Sequence, residues 1–237
     1  MKQDFSRGIR DGLPICFGYL SVSFAFGIFA VASGLGTLEA LLLSMANVTS
    51  AGQFAAVPII AAGGSLLELA LIQLVINARY ALMSLSLSQK LGNDVRTRDR
   101  FLIAFVNTDE VFAVASGQKD AVGRQYMFGL ILTPFLGWSL GTLLGAAAGD
   151  ILPTILVSAL GVAIYGMFVA IVLPASKKSR PTAVCVLLAV ALSCLFYYVP
   201  ALQKIPSGFA IIICAVAASA VMAAVRPVVE IKEEENA

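Results

Sequence analysis

One stretch decides how this chain folds: Ala46-Asn47-Val48-Thr49-Ser50-Ala51-Gly52, followed at once by Gln53 and Phe54. It lies inside a hydrophobic run from residue 38 to residue 62, where an ordinary membrane helix would carry leucine and valine. An unpaired backbone N–H or C=O is costly in lipid, so a broken helix persists only where protein or a water-filled cavity supplies partners. The stretch therefore predicts a discontinuous helix that faces a cavity, as in the solute sites of some membrane proteins.

The composition of the chain is that of a membrane protein. Of its 237 residues, 59% are hydrophobic and 13% are charged, which argues against a water-soluble domain of this size. The formal net charge of +2 is too small to indicate a nucleic-acid partner. The four cysteines lie in apolar runs without metal-ligand spacing, so we expect packing residues, with no disulfide, no metal and no cofactor. They are Cys16, Cys185, Cys194 and Cys214.

Apolar segments follow one another along the whole chain. The fold class predicted is an all-α polytopic membrane protein with about seven to eight hydrophobic segments, some of them discontinuous or re-entrant. The segments cover residues 13–33, 38–62, 65–88, 101–117, 125–148, 153–175, 182–200 and 207–225. We expect a single transmembrane domain over residues 1–237, with residues 226–237 as a cytoplasmic tail.

The distribution of lysine and arginine favours one topology, because these residues collect on the cytoplasmic side of a membrane. With both termini in the cytoplasm, eight full crossings place ten such residues inside and five outside. If segments 38–62 and 153–175 instead enter and leave on one side, the loop from Lys90 to Arg100 becomes cytoplasmic. The counts then become twelve and three, so the re-entrant scheme is preferred on the evidence of that loop.

The same two segments also resemble each other. The stretch from Gly52 to Val57 aligns with the stretch from Gly166 to Ile171 at an offset of 114, which also pairs Gly27 with Gly141. Chance similarity among Gly, Ala and Phe is the alternative. A true repeat would divide the chain into halves 1–117 and 118–225, and three spans between equivalent helices would invert the second half.

The third segment is polar on two faces, so protein must enclose it. One stripe recurs at steps of four, three, four and four residues. Its members are Gln73, Asn77, Tyr80, Ser84 and Ser88. Glu68 and Arg79 share another face, about 16 Å apart along the axis. Arg79 is too deep to reach the interface and needs a partner, which is either a structural ion pair or a substrate carboxylate.

The fourth segment carries Asn107-Thr108-Asp109-Glu110 at its centre. A threonine followed by two acids is typical of a helix N-terminus, so this segment is predicted to be interrupted as well. One carboxylate would pair with Arg79, and the other would remain available for a substrate ammonium group or a proton. Because the chain has no histidine, any proton relay would run through carboxylates, for which Glu110, Asp109 and Glu68 are the candidates.

Three motifs, taken in order, resemble the large-subunit AzlC family of branched-chain amino acid exporters. They are Ser50-Ala51-Gly52-Gln53-Phe54, Asn77-Ala78-Arg79-Tyr80 and Thr108-Asp109-Glu110-Val111-Phe112. The resemblance runs from about Phe5 through the last segment. It implies proton-coupled export of leucine, isoleucine, valine or similar small apolar amino acids across the cytoplasmic membrane of a prokaryote, together with a small membrane subunit of the AzlD type. Tyr80 stands where many members have histidine, so a proton role of that histidine does not carry over.

These observations predict a binding site and its chemistry. The first break would expose backbone N–H groups to an amino-acid carboxylate, Asp109 or Glu110 would hold the ammonium group, and Phe54 would line the aliphatic pocket. The predicted substrate-binding residues are Asn47, Ser50, Gly52, Gln53, Phe54, Asn77, Arg79 and Asp109, and the proton-coupling residues are Glu110, Asp109 and Glu68. An enzyme is disfavoured, since histidine, metal motifs and protease signatures are missing from the sequence. A passive channel and an exporter of another small solute remain as alternatives.

Overall fold

A computed structural model describes residues 2–149, 169, 172–174, 176–177 and 179–226 of the chain. They fall into two compact units, Met1–Gly166 and Met167–Ala237. The first unit contains α1 (Lys2–Ala32), α2 (Thr37–Ala46), α3 (Ser50–Ala61), α4 (Leu66–Lys90), α5 (Thr97–Phe105), α6 (Asp109–Ser116) and α7 (Arg124–Gly149), and the second contains α8 (Arg180–Tyr198) and α9 (Ser207–Val225). The all-α class is thereby confirmed. Most of segment 153–175, including Gly166, lies outside the described residues.

In the first unit, two short helices lie between each long helix and the next. Within the described residues, five helices are long and apolar enough to cross a membrane, namely α1, α4, α7, α8 and α9. The other four have only 8 to 12 residues, which corresponds to about 12–18 Å against a hydrocarbon core of about 30 Å. The second and fourth predicted segments are therefore each broken into two half-length helices.

Glycines allow the backbones of α1 and α7 to pack in direct contact. A Cβ atom added to Gly129 would overlap the backbone of Phe5, one added to Gly137 would lie 2.6 Å from the Cys16 carbonyl oxygen, and one added to Gly145 would overlap Phe24. Later positions on α7 thus meet later positions on α1, so the two helices run parallel. Gly137, Gly141 and Gly145 recur at every fourth residue, the small-residue spacing that brings membrane helices together.

This direction disagrees with the inversion predicted for the repeat at an offset of 114. An inverted repeat that pairs Gly27 with Gly141 requires α1 and α7 to run in opposite directions, but they are parallel. The reason is that the fourth segment does not cross from one end of the unit to the other.

The two ends of the first unit are named from α1. The end at which α1 begins is the proximal end, and the end at which α1 finishes is the distal end.

Helices α5 and α6 form a hairpin whose two ends both lie at the proximal end. The Val122 amide donates to the Lys90 carbonyl and the Gly92 amide donates to the Val122 carbonyl, each at 2.9 Å, which joins the loop before α5 to the loop after α6. Arg124 Nε lies 2.9 Å from Asp99 Oδ2, linking the start of α7 to the first turn of α5. This proximal hairpin (Thr97–Ser116) replaces the full crossing predicted for residues 101–117.

Helices α2 and α3 form the corresponding distal hairpin (Thr37–Ala61). A turn in which Gly63 adopts a φ of +66° joins α3 to α4; only glycine takes such a conformation without strain. Because α3 and α4 are antiparallel neighbours and α4 ends at the proximal end, α3 must finish at the distal end, where α2 began just after α1. The second segment is therefore re-entrant, as its charge pattern predicted.

In the second unit, a short 3₁₀ turn (Leu202–Lys204) connects α8 to α9. Gln203 Nε2 donates to the Tyr197 carbonyl at 2.6 Å and fixes this turn against the end of α8. Helix α8 buries none of its residues within the described part of the chain.

Candidate functional site

The two helix breaks have the same local structure. The Thr49 amide donates to the Asn47 carbonyl at 2.8 Å, and the Thr108 amide donates to the Val106 carbonyl at 2.9 Å, so each break is a three-residue γ-turn. Thr49 then caps α3 and Thr108 caps α6. The Thr49 hydroxyl oxygen accepts a hydrogen bond from the Gly52 amide, and the Thr108 hydroxyl oxygen accepts one from the Val111 amide, each at 3.4 Å. The helix start predicted at Thr108-Asp109-Glu110 is confirmed.

A cleft of about 190 Å³ lies where the two breaks meet, bounded on one side by α4. Its lining residues are Ala46, Asn47, Val48, Thr49, Asn77, Tyr80, Ala104, Phe105 and Asn107. The volume equals that of about six water molecules in the liquid, which suits a small solute. We call this space the tip cleft.

Four helix ends converge on the tip cleft, and their dipoles differ in sign. Helices α2 and α5 finish at the cleft and present the negative ends of their dipoles, whereas α3 and α6 begin there and present positive ends. A solute that carries both an ammonium and a carboxylate group can therefore find helix ends of complementary sign around one small space.

Gln73 of α4 holds the first break in place. Its Oε1 accepts from Asn47 Nδ2 and from Asn77 Nδ2, both at 3.0 Å, and its Nε2 donates to the Gly52 carbonyl at 2.8 Å. A Cβ atom on residue 52 would come within 2.6 Å of Gln73 Oε1, so glycine lets the Gln73 side chain approach this closely. The network joins residues on both sides of the break to the polar stripe predicted on α4.

Two amide oxygens at the tip cleft have no hydrogen-bond partner among the described residues. They are Asn77 Oδ1 and Asn107 Oδ1. Asn107 is only 2% exposed, and its Nδ2 donates to Ser84 Oγ at 3.1 Å. Buried polar atoms are nearly always paired, so two acceptors left open beside a cleft are suited to a ligand that donates hydrogen bonds.

Arg79 and Asp109 form the ion pair that the sequence suggested. Arg79 Nη1 lies 2.8 Å from Asp109 Oδ2, and Nη2 donates to the Tyr80 hydroxyl at 3.1 Å. The guanidinium also lies over the Tyr80 ring, 4.9 Å from its centroid. The pair joins α4 to the first residue of α6, and neither of its two members belongs to the lining of the tip cleft.

Glu110 has a different partner. The Tyr19 hydroxyl donates to the Glu110 carboxylate and lies 2.6 Å from Thr108 Oγ1. Tyr19 is buried on α1, with its ring edge-on to Trp138 at a centroid separation of 4.9 Å. One phenol thus connects α1 to the carboxylate and to the cap of the second break.

Several predicted site residues lie away from the tip cleft. Phe54 was expected to line the aliphatic pocket, but it packs against Phe26 and Phe29 of α1, and Gln53 Oε1 accepts from Trp138 Nε1 at 3.3 Å. The reason is the orientation of α3, whose first turn directs these two side chains toward α1 and α7. The apolar wall of the cleft comes instead from Val48, Ala104 and Phe105.

Ser50 and Glu68 occupy the first turns of their helices. Ser50 is the first residue of α3 and is half-buried. Glu68 is buried in the first turn of α4 near the distal end, and its amide donates to Ser65 Oγ at 3.1 Å. Eleven residues, or about 16 Å of helix, separate it from Arg79, so it does not join the other two predicted proton-coupling carboxylates.

The sequence did not predict the contacts of four residues, which are Tyr19, Trp138, Ser84 and Asn107. Nothing local in the sequence distinguishes Tyr19 and Trp138 from membrane-belt or packing aromatics. Asn107 did carry a signal: like Asn47, it stands within two residues before a capping threonine at a helix break.

Comparisons with known proteins identify the family to which the chain belongs. The sequence pattern of the family described as AzlC protein matches residues 14–152. The inner membrane protein YgaZ of Escherichia coli (strain K12) is 31% identical over 197 residues, covering 80% of each chain. An uncharacterized membrane protein of Archaeoglobus fulgidus is 34% identical over 175 residues, covering 73% of this chain and 76% of its own. No solved structure matches the chain. The chain belongs to the AzlC protein family.

Proposed function

We propose that this protein is a secondary transporter that exports branched-chain or similar small apolar amino acids in exchange for protons. The observation that carries the proposal is the meeting of two broken hairpins, one from each end of the first unit, at a small cleft between their tips. Alternating access needs a central site that either end can expose. Two hairpins entering from opposite ends supply one such gate each.

The chemistry of the cleft fits a zwitterion. We assign the carboxylate to the α3 N-terminus, whose backbone N–H groups point toward the break. The ammonium group would donate to Asn77 Oδ1 and Asn107 Oδ1, the two open acceptors. This assignment replaces Asp109, which is already paired with Arg79. An aliphatic side chain would pack against Val48, Ala104 and Phe105.

We assign proton coupling to Glu110. Its carboxylate accepts a hydrogen bond from Tyr19, and protonation would weaken that bond by removing the negative charge. The bond joins α1 to α6, so its strength affects how firmly the proximal hairpin is held. Protonation thereby biases the equilibrium between two conformations, as coupling requires.

The charge distribution supports a direction for transport. From Arg7 to Arg124 the chain has eight Lys and Arg residues besides Arg79, and all eight lie in or beside proximal loops and helix ends. The distal loops, residues 33–36 and 62–65, carry none. By the positive-inside rule, we place the proximal end and the N-terminus in the cytoplasm. Export then moves solute from the proximal to the distal end of the unit. We also place the C-terminus in the cytoplasm.

A small membrane subunit of the AzlD type is the partner we propose. The described part of the second unit offers a surface for it, because α8 buries none of its residues. Copurification of this chain with such a subunit, and efflux measured with and without it, would test the assignment.

Efflux of labelled leucine from proteoliposomes tests the proposed function. We expect a proton gradient directed toward the amino-acid-loaded side to accelerate efflux, and valine and isoleucine to compete with leucine. A protonophore should abolish the acceleration. Flux that is indifferent to the gradient would instead identify a passive channel, and the absence of competition would indicate another solute.

Tyr19→Phe is predicted to reduce gradient-driven efflux about tenfold. The substitution removes the hydrogen bond to Glu110 but leaves the ring packed on Trp138, and a hydrogen bond to a charged group contributes about 1.5–3 kcal/mol. Tyr126→Phe is the matched control, because it removes a phenol that donates to Asp11 at 2.9 Å at the proximal end. Equal efflux by the two variants would contradict the role of Tyr19.

A further inference from the structure

A second cavity, of about 270 Å³, lies between α4 and α5 on the proximal side of the tip cleft. Its walls come from one face of each helix, and its lining residues are Ser84, Leu87, Ser88, Leu91, Thr97, Arg100, Phe101, Ile103, Ala104 and Asn107. Leu91 and Thr97 belong to the proximal end, where α4 finishes and α5 begins. We call this cavity the proximal passage.

The passage and the tip cleft share a wall. Ala104 and Asn107 line both of them. Between the two, Asn107 Nδ2 donates to Ser84 Oγ at 3.1 Å, a bond that spans from the tip of the proximal hairpin to α4. This hydrogen bond therefore lies at the wall that the two spaces share.

The polar stripe of α4 runs along both the tip cleft and the proximal passage. Asn77 and Tyr80 line the tip cleft, Ser84 stands at the shared wall, and Ser88 lies in the passage. Leu82, two residues from Ser84, is 71% exposed on the opposite face of the helix. Polar side chains inside a membrane helix generally face a water-filled path or a partner, so the stripe marks a route about 16 Å long from Ser88 to Asn77.

A cation stands near the mouth of this route. Arg100 is half-buried, and its Nη1 donates to the Ser88 carbonyl at 3.2 Å. It is the charged residue in the lining of the passage. A guanidinium at that position attracts the carboxylate of an entering amino acid.

We propose that solute reaches the tip cleft from the proximal end through the passage between α4 and α5, and that the Asn107–Ser84 hydrogen bond is the gate at its inner end. The inference rests on the proposed transport function. It assigns to Ser84, Asn107 and Arg100 roles in admitting the solute, in addition to the binding groups named above.

Thiol labelling tests the route. In a background with the four native cysteines replaced, Ser84→Cys is exposed to a membrane-impermeant methanethiosulfonate from each side in turn, with Lys119→Cys marking the proximal side. We expect labelling of Ser84→Cys from that side, and none of Leu82→Cys, which faces outward at nearly the same depth. Ser88→Cys provides a second position in the passage. Failure of both passage positions to react would overturn the proposal.

Labelling beyond the gate tests the hydrogen bond. Asn77→Cys, in the tip cleft, should react from the proximal side about fivefold faster when Ser84 is replaced by alanine, as expected for loss of one hydrogen bond. Ser84→Thr, which keeps the hydroxyl, should leave the rate unchanged. An equal rate in the alanine variant would refute the gate. These labelling results do not depend on leucine efflux, so a protein that labels as predicted but moves no leucine would contradict only the proposed function.

Discussion

Gradient-driven efflux of leucine is expected to fall about a hundredfold in Asp109→Asn. The substitution leaves Arg79 without the carboxylate that lies 2.8 Å away. In water an ion pair of this exposure, 52% for Arg79 and 46% for Asp109, would contribute little. Arg79, however, stands near the middle of a membrane-crossing helix, where an unpaired arginine costs about 2.5–3.5 kcal/mol. That cost corresponds to roughly two orders of magnitude in the population of the native arrangement.

Two substitutions serve as controls for this effect. Asp109→Glu keeps the charge and should retain most of the efflux, whereas Asp120→Asn removes the same charge from an exposed proximal loop and should change nothing. A double-mutant cycle with Arg79→Leu should show strong coupling, because the second substitution removes the arginine that the first leaves unpaired. Normal efflux in Asp109→Asn would contradict the role given to the Arg79–Asp109 ion pair.

Glu110→Gln should also abolish gradient-driven efflux, but for a different reason. It removes the group to which we assign the proton while keeping an acceptor for Tyr19. Exchange of internal for external leucine, which needs no net proton movement, should therefore persist in Glu110→Gln and be lost in Asp109→Asn. Loss of both activities in both variants would mean that the two acids act only as structural residues.

Gly145→Ala is expected to give the largest loss of stability, about 3 kcal/mol or roughly 10 °C in the unfolding temperature. A Cβ atom there would overlap the backbone carbonyl of Phe24. No side chain can move aside to make room, because the obstacle is the main chain of α1. The helices must separate, and the close packing along their length is weakened.

Gly149→Ala is the matched control on the same helix. A Cβ atom at residue 149 would approach its neighbours no closer than 3.6 Å, which is ordinary van der Waals contact. Replacing glycine by alanine within a helix otherwise favours the helix, so this variant should be as stable as the parent or slightly more so. Thermal unfolding in detergent, followed by size-exclusion chromatography, compares the two. Equal stability would contradict the packing described for α1 and α7.

The sequence predicted the features that depend on local chemistry. The breaks at Asn47–Thr49 and before Asp109 follow from small polar residues and capping threonines inside apolar runs. The partner of Arg79 follows from the cost of a deep charge. The re-entrant second segment follows from the basic loop after Lys90. Each of these properties can be judged from residue types and their positions along the chain.

The features that the sequence did not predict depend on how distant helices face one another. Phe54 is as apolar as a pocket residue, and only the orientation of α3 shows that it packs on α1. The fourth segment is long enough in apolar residues to suggest a crossing. Only the contacts between its flanking residues, Lys90 and Gly92 with Val122 and Asp99 with Arg124, show that it turns back. The Gly137, Gly141 and Gly145 spacing was available as a signal for close helix packing, but it does not specify α1 as the partner or parallel as the direction.

The central claim is that two broken hairpins enter from opposite ends and meet, and side-specific cysteine labelling tests it most directly. Gly36→Cys and Ala62→Cys mark the two ends of the distal hairpin, and Asn93→Cys and Lys119→Cys mark the two ends of the proximal hairpin. All four positions are exposed. An impermeant reagent should label Gly36→Cys and Ala62→Cys from one side of the membrane, and Asn93→Cys and Lys119→Cys only from the other. If the two members of either pair were labelled from opposite sides, the segment between them would be a full crossing and the account would be wrong.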